Sequence, residues 1–441
     1  MKYIVQGGLD KDRLQGAVRV PGDKSISHRS IMFGSLAEGI SHISGFLEGE
    51  DSLNTLRAFQ AMGVNIVGPE NGKVTIQGVG MDGLQPPAHA LDLGNSGTSM
   101  RLLAGLLAGQ TFDTELTGDV SLSKRPMKRV TDPLSEMGAK INTAEGGRPP
   151  LKIVGNQKLY GFSYMMPMAS AQVKSCCLLA GLYAKGKTCV TEPATTRDHT
   201  ERMLNAFGCK VEVINDEDGR TVCIMGPAKL IATDIDVPAD ISSAAFFMVG
   251  ASIAPGSDIV LQHVGINPTR TGVIDILKLM GADITLMNER EVGGEPVADI
   301  QVKSARLQGI HIPEDLVPLA IDEFPVLFVA AACADGETVV TGAEELRVKE
   351  SDRIQVMADG LQVLGIDAQA TADGMIIQGG RIGSGTVHSH DDHRIAMAFT
   401  MAALRANGEI LIDDCDNVNT SFPGFADLAA SCGVSIRVIN E

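Results

Sequence analysis

The sequence predicts an α/β protein of two domains, each built from three copies of a repeated unit. The first observation is a recurring pattern in which an apolar stretch closes on a glycine and runs into a short β-rich piece. It occurs at Met62-Gly63-Val64-Asn65-Ile66, Met137-Gly138-Ala139-Lys140-Ile141, Phe207-Gly208-Cys209-Lys210-Val211, Met280-Gly281-Ala282-Asp283-Ile284, Leu364-Gly365-Ile366-Asp367-Ala368 and Cys432-Gly433-Val434-Ser435-Ile436. Each reads as a helix ended by a glycine and followed by a strand. The second is an Ala/Leu-rich helix closing on another glycine 22 to 29 residues upstream of each: Gly39, Gly109, Gly186, Gly256, Gly336 and Gly408. The third is size and composition. A chain of 441 residues, 44% hydrophobic and 21% charged, holds more than one core and is too apolar for disorder.

Each unit therefore reads as helix, glycine, strand, loop, second helix, glycine, strand and hairpin, about 70 residues in all. Three units precede residue 237 and three follow. Asp236-Val237-Pro238 makes a crossover, and the chain before Pro21, with a strand but no helix pair, is expected to complete the second half. The expected domains are 21–237 and 1–20 with 238–441. Two hinge strands, near Val20-Pro21 and Val237-Pro238, would join them around a cleft that closes on substrate.

Taken in order, the first element with chemistry is Pro21-Gly22-Asp23-Lys24-Ser25-Ile26-Ser27-His28-Arg29. Pro-Gly stops the apolar alternation of Ala17, Val18 and Val20. Asp23 or Ser25 can cap a helix through Ile31, Met32 and Leu36. Lys24, Ser25 and Arg29 then sit at a helix N-terminus, where free N–H groups and the dipole suit a phosphate. A solvated basic helix start explains the same residues. Leu93-Gly94-Asn95-Ser96-Gly97-Thr98-Ser99-Met100-Arg101 is a helix-opening glycine loop that lets backbone approach a ligand. Lys124-Arg125-Pro126-Met127-Lys128-Arg129 is a basic run in a loop, where charge is ordinarily solvated. Ala169-Ser170-Ala171-Gln172-Val173-Lys174, Ser242-Ser243, Ile321-Asp322-Glu323-Phe324-Pro325 and Asp391-Asp392 open further helices, and capping accounts for each singly. Leu346-Arg347-Val348-Lys349-Glu350-Ser351-Asp352-Arg353 reads alone as a charged surface helix.

Several classes are excluded or weakened. A net charge of −17 argues against nucleic acid and anionic membrane as partners, and makes local clusters of Lys and Arg more informative. The start, MKYIVQGGLDKDR, lacks the apolar segment of a signal peptide, and no apolar run reaches the ~18 residues of a membrane span. With no Trp and 4% aromatic residues the core is aliphatic, rich in 19 Met. Eight cysteines without a Cys-x-x-Cys spacing read as buried thiols of a reducing cytoplasm. His388-Ser389-His390-Asp391-Asp392-His393-Arg394 fits an H-x-H-x-D-H metal pattern, as in a dinuclear zinc hydrolase. Such a site needs ligands downstream, yet His393 is the last of nine histidines. Gly78-Val79-Gly80-Met81-Asp82-Gly83 fits G-x-G-x-x-G, but Pro86-Pro87 follows instead of a helix, so it is a turn.

The phrases PGDKSISHR, LGNSGTSMR, the Arg125-Pro126 pair, ASAQVK, IDEFP, LRVKESDR and DHR together resemble the enolpyruvylshikimate phosphate synthase family, and its second sequence class in particular. They span the chain from Lys24 to Thr420-Ser421-Phe422-Pro423 in the family's order. The resemblance implies a two-domain inverse α/β barrel of six βαβαββ-type units, three per domain, with the active site in the interdomain cleft. It implies transfer of the carboxyvinyl group of phosphoenolpyruvate to the 5-hydroxyl of shikimate 3-phosphate, with release of phosphate, in chorismate and aromatic amino-acid biosynthesis. Lys24, Ser25, Arg29, Ser170, Gln172, Arg197, Asp322 and Lys349 would bind shikimate phosphate. Lys24, Asn95, Gly97, Thr98, Arg125, Gln172, Arg353 and Arg394 would bind phosphoenolpyruvate. Lys24, Asp322 and Glu350 would be catalytic, with Asp322 as base for the attacking hydroxyl and Glu350 at the vinyl carbon. A carboxyl acting as acid near neutral pH needs a raised pKa, which desolvation favours and neighbouring cations oppose. No metal or organic cofactor is implied, and the expected protein is a cytoplasmic monomer acting on small anionic substrates. Departures from the family pattern are Ala171, where many members have a second serine, Leu102, where many glyphosate-sensitive members have proline, and Thr420, where some carry a catalytic lysine. A sister family that uses a UDP-amino-sugar carries a cysteine near Arg125, which Ser121 to Arg129 lacks. A non-catalytic repeat scaffold would leave Lys and Arg at the helix starts unexplained.

Overall fold

The computed structural model describes residues 1–8, 12–216 and 219–440. The chain divides into two units. One comprises Met1–Pro21, Pro238–Glu291 and Pro296–Glu441, the other Gly22–Val237 with Val292–Glu295. Each has its own apolar core.

In the Gly22–Val237 unit, the helices Lys24–Leu36, Gly97–Ala108 and Ala171–Gly181 are each followed by a strand: Ala37–Ser44, Thr114–Thr117 and Gly186–Glu192. A second helix comes next (Glu50–Ala61, Lys128–Glu136, His199–Ala206), then a hairpin whose second strand pairs antiparallel with that first strand. A short strand adds in parallel on the other side. Leu91–Asp92 joins Thr114–Thr117, and Ser163–Met165 joins Gly186–Glu192. Leu230–Ile231 and Ile235–Asp236 return to Ala37–Ser44. Each sheet thus passes the chain to the next, and the last segment comes back to the first sheet.

The other unit has the helices Ile241–Ile253, Phe324–Ala332 and His393–Ala402 and the second helices Gly272–Leu279, Arg353–Val363 and Phe425–Cys432. Its N-terminal strand Lys2–Val5 lies between Ile410–Asp413 and Ile436–Ile439, antiparallel to both, so the two ends of the chain meet in one sheet. Gln15–Val18 then runs parallel to Asp258–Gly265.

Sequence explains why these helices are internal. Every residue of Ile241–Ile253, Phe324–Ala332 and His393–Ala402 is buried, as expected of helices that are predominantly apolar. Strands such as Asp258–Gly265 instead alternate buried and more exposed positions, turning one face to the helices and one to water. The six glycines after the second helices all have φ between 83° and 116°, the left-handed conformation of a helix-ending glycine. Gly109, which ends the first helix Gly97–Ala108, instead has φ −87°. There a Cβ would lie 2.3 Å from the Tyr183 ring, so lack of space, not backbone conformation, calls for glycine.

Some expectations need correction. Cys189 and Cys223 form a disulfide, while the other six cysteines are free. They stand opposite each other on antiparallel strands, Cα–Cα 4.1 Å, a register that 34 residues of separation conceal. The LRVKESDR stretch is not one surface helix. A 3-10 turn covers Glu344–Val348, a new helix begins at Arg353 capped by Asp352, and Arg353 is buried. Lys128 and Arg129 open a helix and do not lie in a loop. Asp240, not Ser242 or Ser243, caps its helix.

Close helix approach generates a prediction. A Cβ on Gly105 would lie 2.1 Å from the backbone carbonyl of Cys176, so the two helices must separate to admit it. Gly105→Ala should cost about 1–3 kcal/mol or more of unfolding free energy. Denaturant unfolding measures this, and unchanged stability would mean the helices have room that their geometry denies.

Candidate functional site

Two clusters of charged side chains gather at helix starts, one in each unit. In the Gly22–Val237 unit, Asp23 caps the Lys24–Leu36 helix by accepting from Ile26 N at 2.8 Å. This fixes the first turn, with Lys24 Nζ 3.1 Å from Asp51 Oδ2. One turn on, Arg29 is 4% exposed and donates to neutral oxygens: Thr200 Oγ1 at 2.8 Å, Ser175 Oγ at 2.9 Å and Ser25 O at 2.9 Å. Burial lowers its pKa to about 10, with Glu201 and Asp23 opposing the shift through space. A guanidinium held mainly by hydroxyls and a carbonyl keeps its charge available to an anion.

The glycine loop forms a second part of this cluster. Ser96 caps the Gly97–Ala108 helix, accepting from Ser99 N. Arg125 donates to Asn95 Oδ1 at 2.6 Å, and Asn95 Nδ2 donates to Asp119 at 2.7 Å. Gly97 lies beneath two guanidiniums, since a Cβ there would be 3.1 Å from Arg125 Nη1 and 3.5 Å from Arg101 Nη1. Gln172 donates to Thr98 Oγ1 at 3.0 Å and accepts from Arg101. Ser170 caps its own helix, accepting from Val173 N at 3.4 Å. Arg197 stands in the stretch before the His199–Ala206 helix and opposes the charge of Arg29.

The other unit concentrates opposite charges. Arg353, 1% exposed, donates from Nε to Asp392 Oδ2 at 2.8 Å and from Nη2 to Glu350 Oε2 at 2.6 Å. Its Nη1 is 3.6 Å from Asp322 Oδ1. Burial works against its charge, but Asp392, Glu350 and Asp322 outweigh that and hold its pKa above the usual guanidinium value. Lys349 Nζ also stands 3.6 Å from Asp322 Oδ1. Arg394 donates to the Asp322 carbonyl at 3.0 Å, while its own N–H donates to Asp392 Oδ1 at 3.0 Å. Asp322, Lys349, Glu350, Arg353 and Arg394 thus form one continuous cluster.

Of the H-x-H-x-D-H run, Asp392 is taken up by Arg353, Ser351 and Arg394, and His388 pairs with Asp413 at 3.3 Å. Thr420 donates to Asn417 O at 2.7 Å. Sequence reading assigned no role to Arg101, Thr200 or Ser175. Arg101 could have been found, because it follows Thr98 by three residues on one helix face. Thr200 and Ser175 meet Arg29 across 171 and 146 residues, and no local pattern marks that.

Comparison with known proteins identifies the family. The family model of EPSP synthase (3-phosphoshikimate 1-carboxyvinyltransferase) matches residues 10–428. A 3-phosphoshikimate 1-carboxyvinyltransferase of Alkalilimnicola ehrlichii is 69% identical over 437 residues, covering 99% of this chain and 96% of the relative. The EPSP synthase structure from Acinetobacter baumannii superposes with TM-score 0.90 at 60% identity, covering both chains fully. An enolpyruvyl transferase of Streptomyces tendae, 17% identical with TM-score 0.80 over 99% of this chain and 98% of its own, shares the fold.

His28, within the opening motif, adds no positive charge to the cluster. It is buried against Thr55 Oγ1 at 2.7 Å, and burial, then Lys24 and Arg29, hold its pKa well below the usual 6.5. The unfolded chain therefore takes up a proton that the native imidazole refuses, so stability falls as pH drops below 6.5. The expected contribution is up to about 1.4 kcal/mol per pH unit. Unfolding of His28→Gln across this range should show a flatter slope, and equal slopes would exclude His28 as the source.

Proposed function

Since the chain belongs to the EPSP synthase (3-phosphoshikimate 1-carboxyvinyltransferase) family, we propose that its two charged clusters serve one addition–elimination reaction. The carboxyvinyl group of phosphoenolpyruvate passes to the 5-hydroxyl of shikimate 3-phosphate, and phosphate leaves. Both substrates carry a phosphate and a carboxylate, which calls for several cations with directional donors. Lys24, Ser25, Arg29, Ser170, Gln172, Arg197 and Lys349 take shikimate 3-phosphate. Lys24, Asn95, Gly97, Thr98, Arg125, Gln172, Arg353 and Arg394 take phosphoenolpyruvate.

Asp322, which also contacts the shikimate ring, is the base for the attacking hydroxyl. The observation that carries this reading is its Oδ1, 3.6 Å from both Lys349 Nζ and Arg353 Nη1, a setting that favours the ionised carboxylate a base requires. The 5-hydroxyl oxygen of shikimate 3-phosphate, its proton passing to Asp322, attacks C2 of phosphoenolpyruvate while Glu350, with Lys24, delivers a proton to the CH₂ carbon. Loss of that proton and of phosphate from the adduct then restores the double bond. Glu350 is engaged by Arg353 at 2.6 Å, so its work as acid requires that contact to be exchanged on substrate binding.

We further infer that the chain is an inverse α/β barrel of six βαβαββ-type units. The shared connection of its sheets and the buried first helices support this. The same reading has residues 21–237 and 1–20 with 238–441 as domains that close on substrate between them. It also has the protein as a cytoplasmic monomer using no metal or organic cofactor. No helix among the described residues is long and apolar enough to cross a membrane.

Phosphate release from phosphoenolpyruvate should require shikimate 3-phosphate and fail with a UDP-amino-sugar. Asp322→Asn and Glu350→Gln should each cut kcat by about 10²-fold or more while substrate affinity stays within about tenfold. Near-normal turnover in either variant removes that residue from the chemistry.

Gly97→Ala should weaken glyphosate more than phosphoenolpyruvate, because the inhibitor is longer and the methyl group pushes Arg125 Nη1 from 3.1 Å. A methyl-sized clash corresponds to about 1–3 kcal/mol, or about 5- to 200-fold in Ki. Ki for glyphosate and KM for phosphoenolpyruvate rising by the same factor would mean that Gly97 does not discriminate between them.

A further inference from the structure

Behind Arg29 lies a closed ring of four charges that the reaction does not use. Lys174 Nζ is 3.1 Å from Glu192 Oε1 and 2.8 Å from Glu201 Oε1. Arg220 Nη1 is 2.7 Å and 3.1 Å from the same two oxygens. The Lys174 and Glu192 side chains are fully buried, and Glu201 nearly so. Strand register sets Glu192 opposite Arg220, and the helix Ala171–Gly181 brings Lys174 between the carboxylates. Apolar packing of similar volume is generally as stable as such a buried ring, so stability does not account for it.

The ring's outward bonds give it a role. The Thr196 hydroxyl donates to Glu192 Oε2, and Lys174 Nζ reaches the Thr196 carbonyl at 3.5 Å, so Thr196 is clamped at both ends, directly before Arg197. Chain neighbours of ring members hold Arg29. Ser175 follows Lys174 and Thr200 precedes Glu201; both accept from the guanidinium and bond each other at 2.7 Å. Glu201 is also the largest charge supporting Arg29 through space. Two separate pieces of chain, one carrying Ser170 and Gln172 and the other Arg197 and the Thr200 partner of Arg29, are thereby locked together.

We infer that Lys174, with Glu192, Glu201 and Arg220, is a positioning device for the shikimate 3-phosphate subsite, setting Arg197 and Arg29 at the spacing one phosphate requires. This rests on the assignment of those two arginines to that substrate. The test is steady-state kinetics with thermal melting on Thr196→Val, on the charge-balanced double variant Lys174→Met with Glu201→Gln, and on Arg197→Leu. The first two should raise KM for shikimate 3-phosphate about tenfold or more, leaving kcat and KM for phosphoenolpyruvate within about threefold. A lowered Tm with unaltered KM, or a parallel change in all three constants, overturns the inference. If Arg197→Leu raises KM for shikimate 3-phosphate and the other two variants do not, the ring's role alone fails. An unaltered KM in Arg197→Leu overturns the assignment of that arginine, and the inference with it.

Discussion

The guanidinium of Arg353, removed from water and held by carboxylates, is the constraint on which the C-terminal cluster depends. A buried cation is tolerated only while its partners stay. Its ties to Asp392, Glu350 and Asp322 therefore fix three pieces of chain at once. Asp392 is also the cap of the His393–Ala402 helix, so the bond that neutralises Arg353 also orients the first turn carrying Arg394. Asp322 owes its place between Lys349 and Arg353 to the same arrangement.

The Gly22–Val237 unit solves the opposite problem. Arg29 and Arg125 are held by hydroxyls, a carbonyl and an amide oxygen, groups that orient a guanidinium without cancelling its charge. The cost shows in Arg29, which burial drives toward losing its proton. His28, kept neutral against Thr55, limits the repulsion among its neighbours. In one unit Arg353 is thus answered by carboxylates, while in the other Arg29 and Arg125 are held by neutral oxygens.

Much of this was legible in the residue order. The glycines ending the second helices could be read because only glycine readily takes the left-handed turn there, and all six have positive φ. The helix starts were legible because capping demands Asp or Ser at one position, and Asp23, Ser96, Ser170 and Asp392 each accept a backbone N–H as expected. The candidate site residues were singled out mainly by their resemblance to a family, since a Lys or Arg at a helix start has ordinary explanations too.

What the sequence determined by itself is therefore local: where helices begin and end, which faces are apolar, and which short phrases carry charge. These depend on interactions within a few residues, which residue order fixes directly. Tertiary structure alone decided that Cys189 meets Cys223, that Arg353 is buried rather than part of a solvated helix, that Thr200 and Ser175 hold Arg29, and that Lys174 closes a ring with Glu192, Glu201 and Arg220. Each depends on strand register or on the packing of distant helices. A buried charge finds its partners only when the whole core has excluded water from around it.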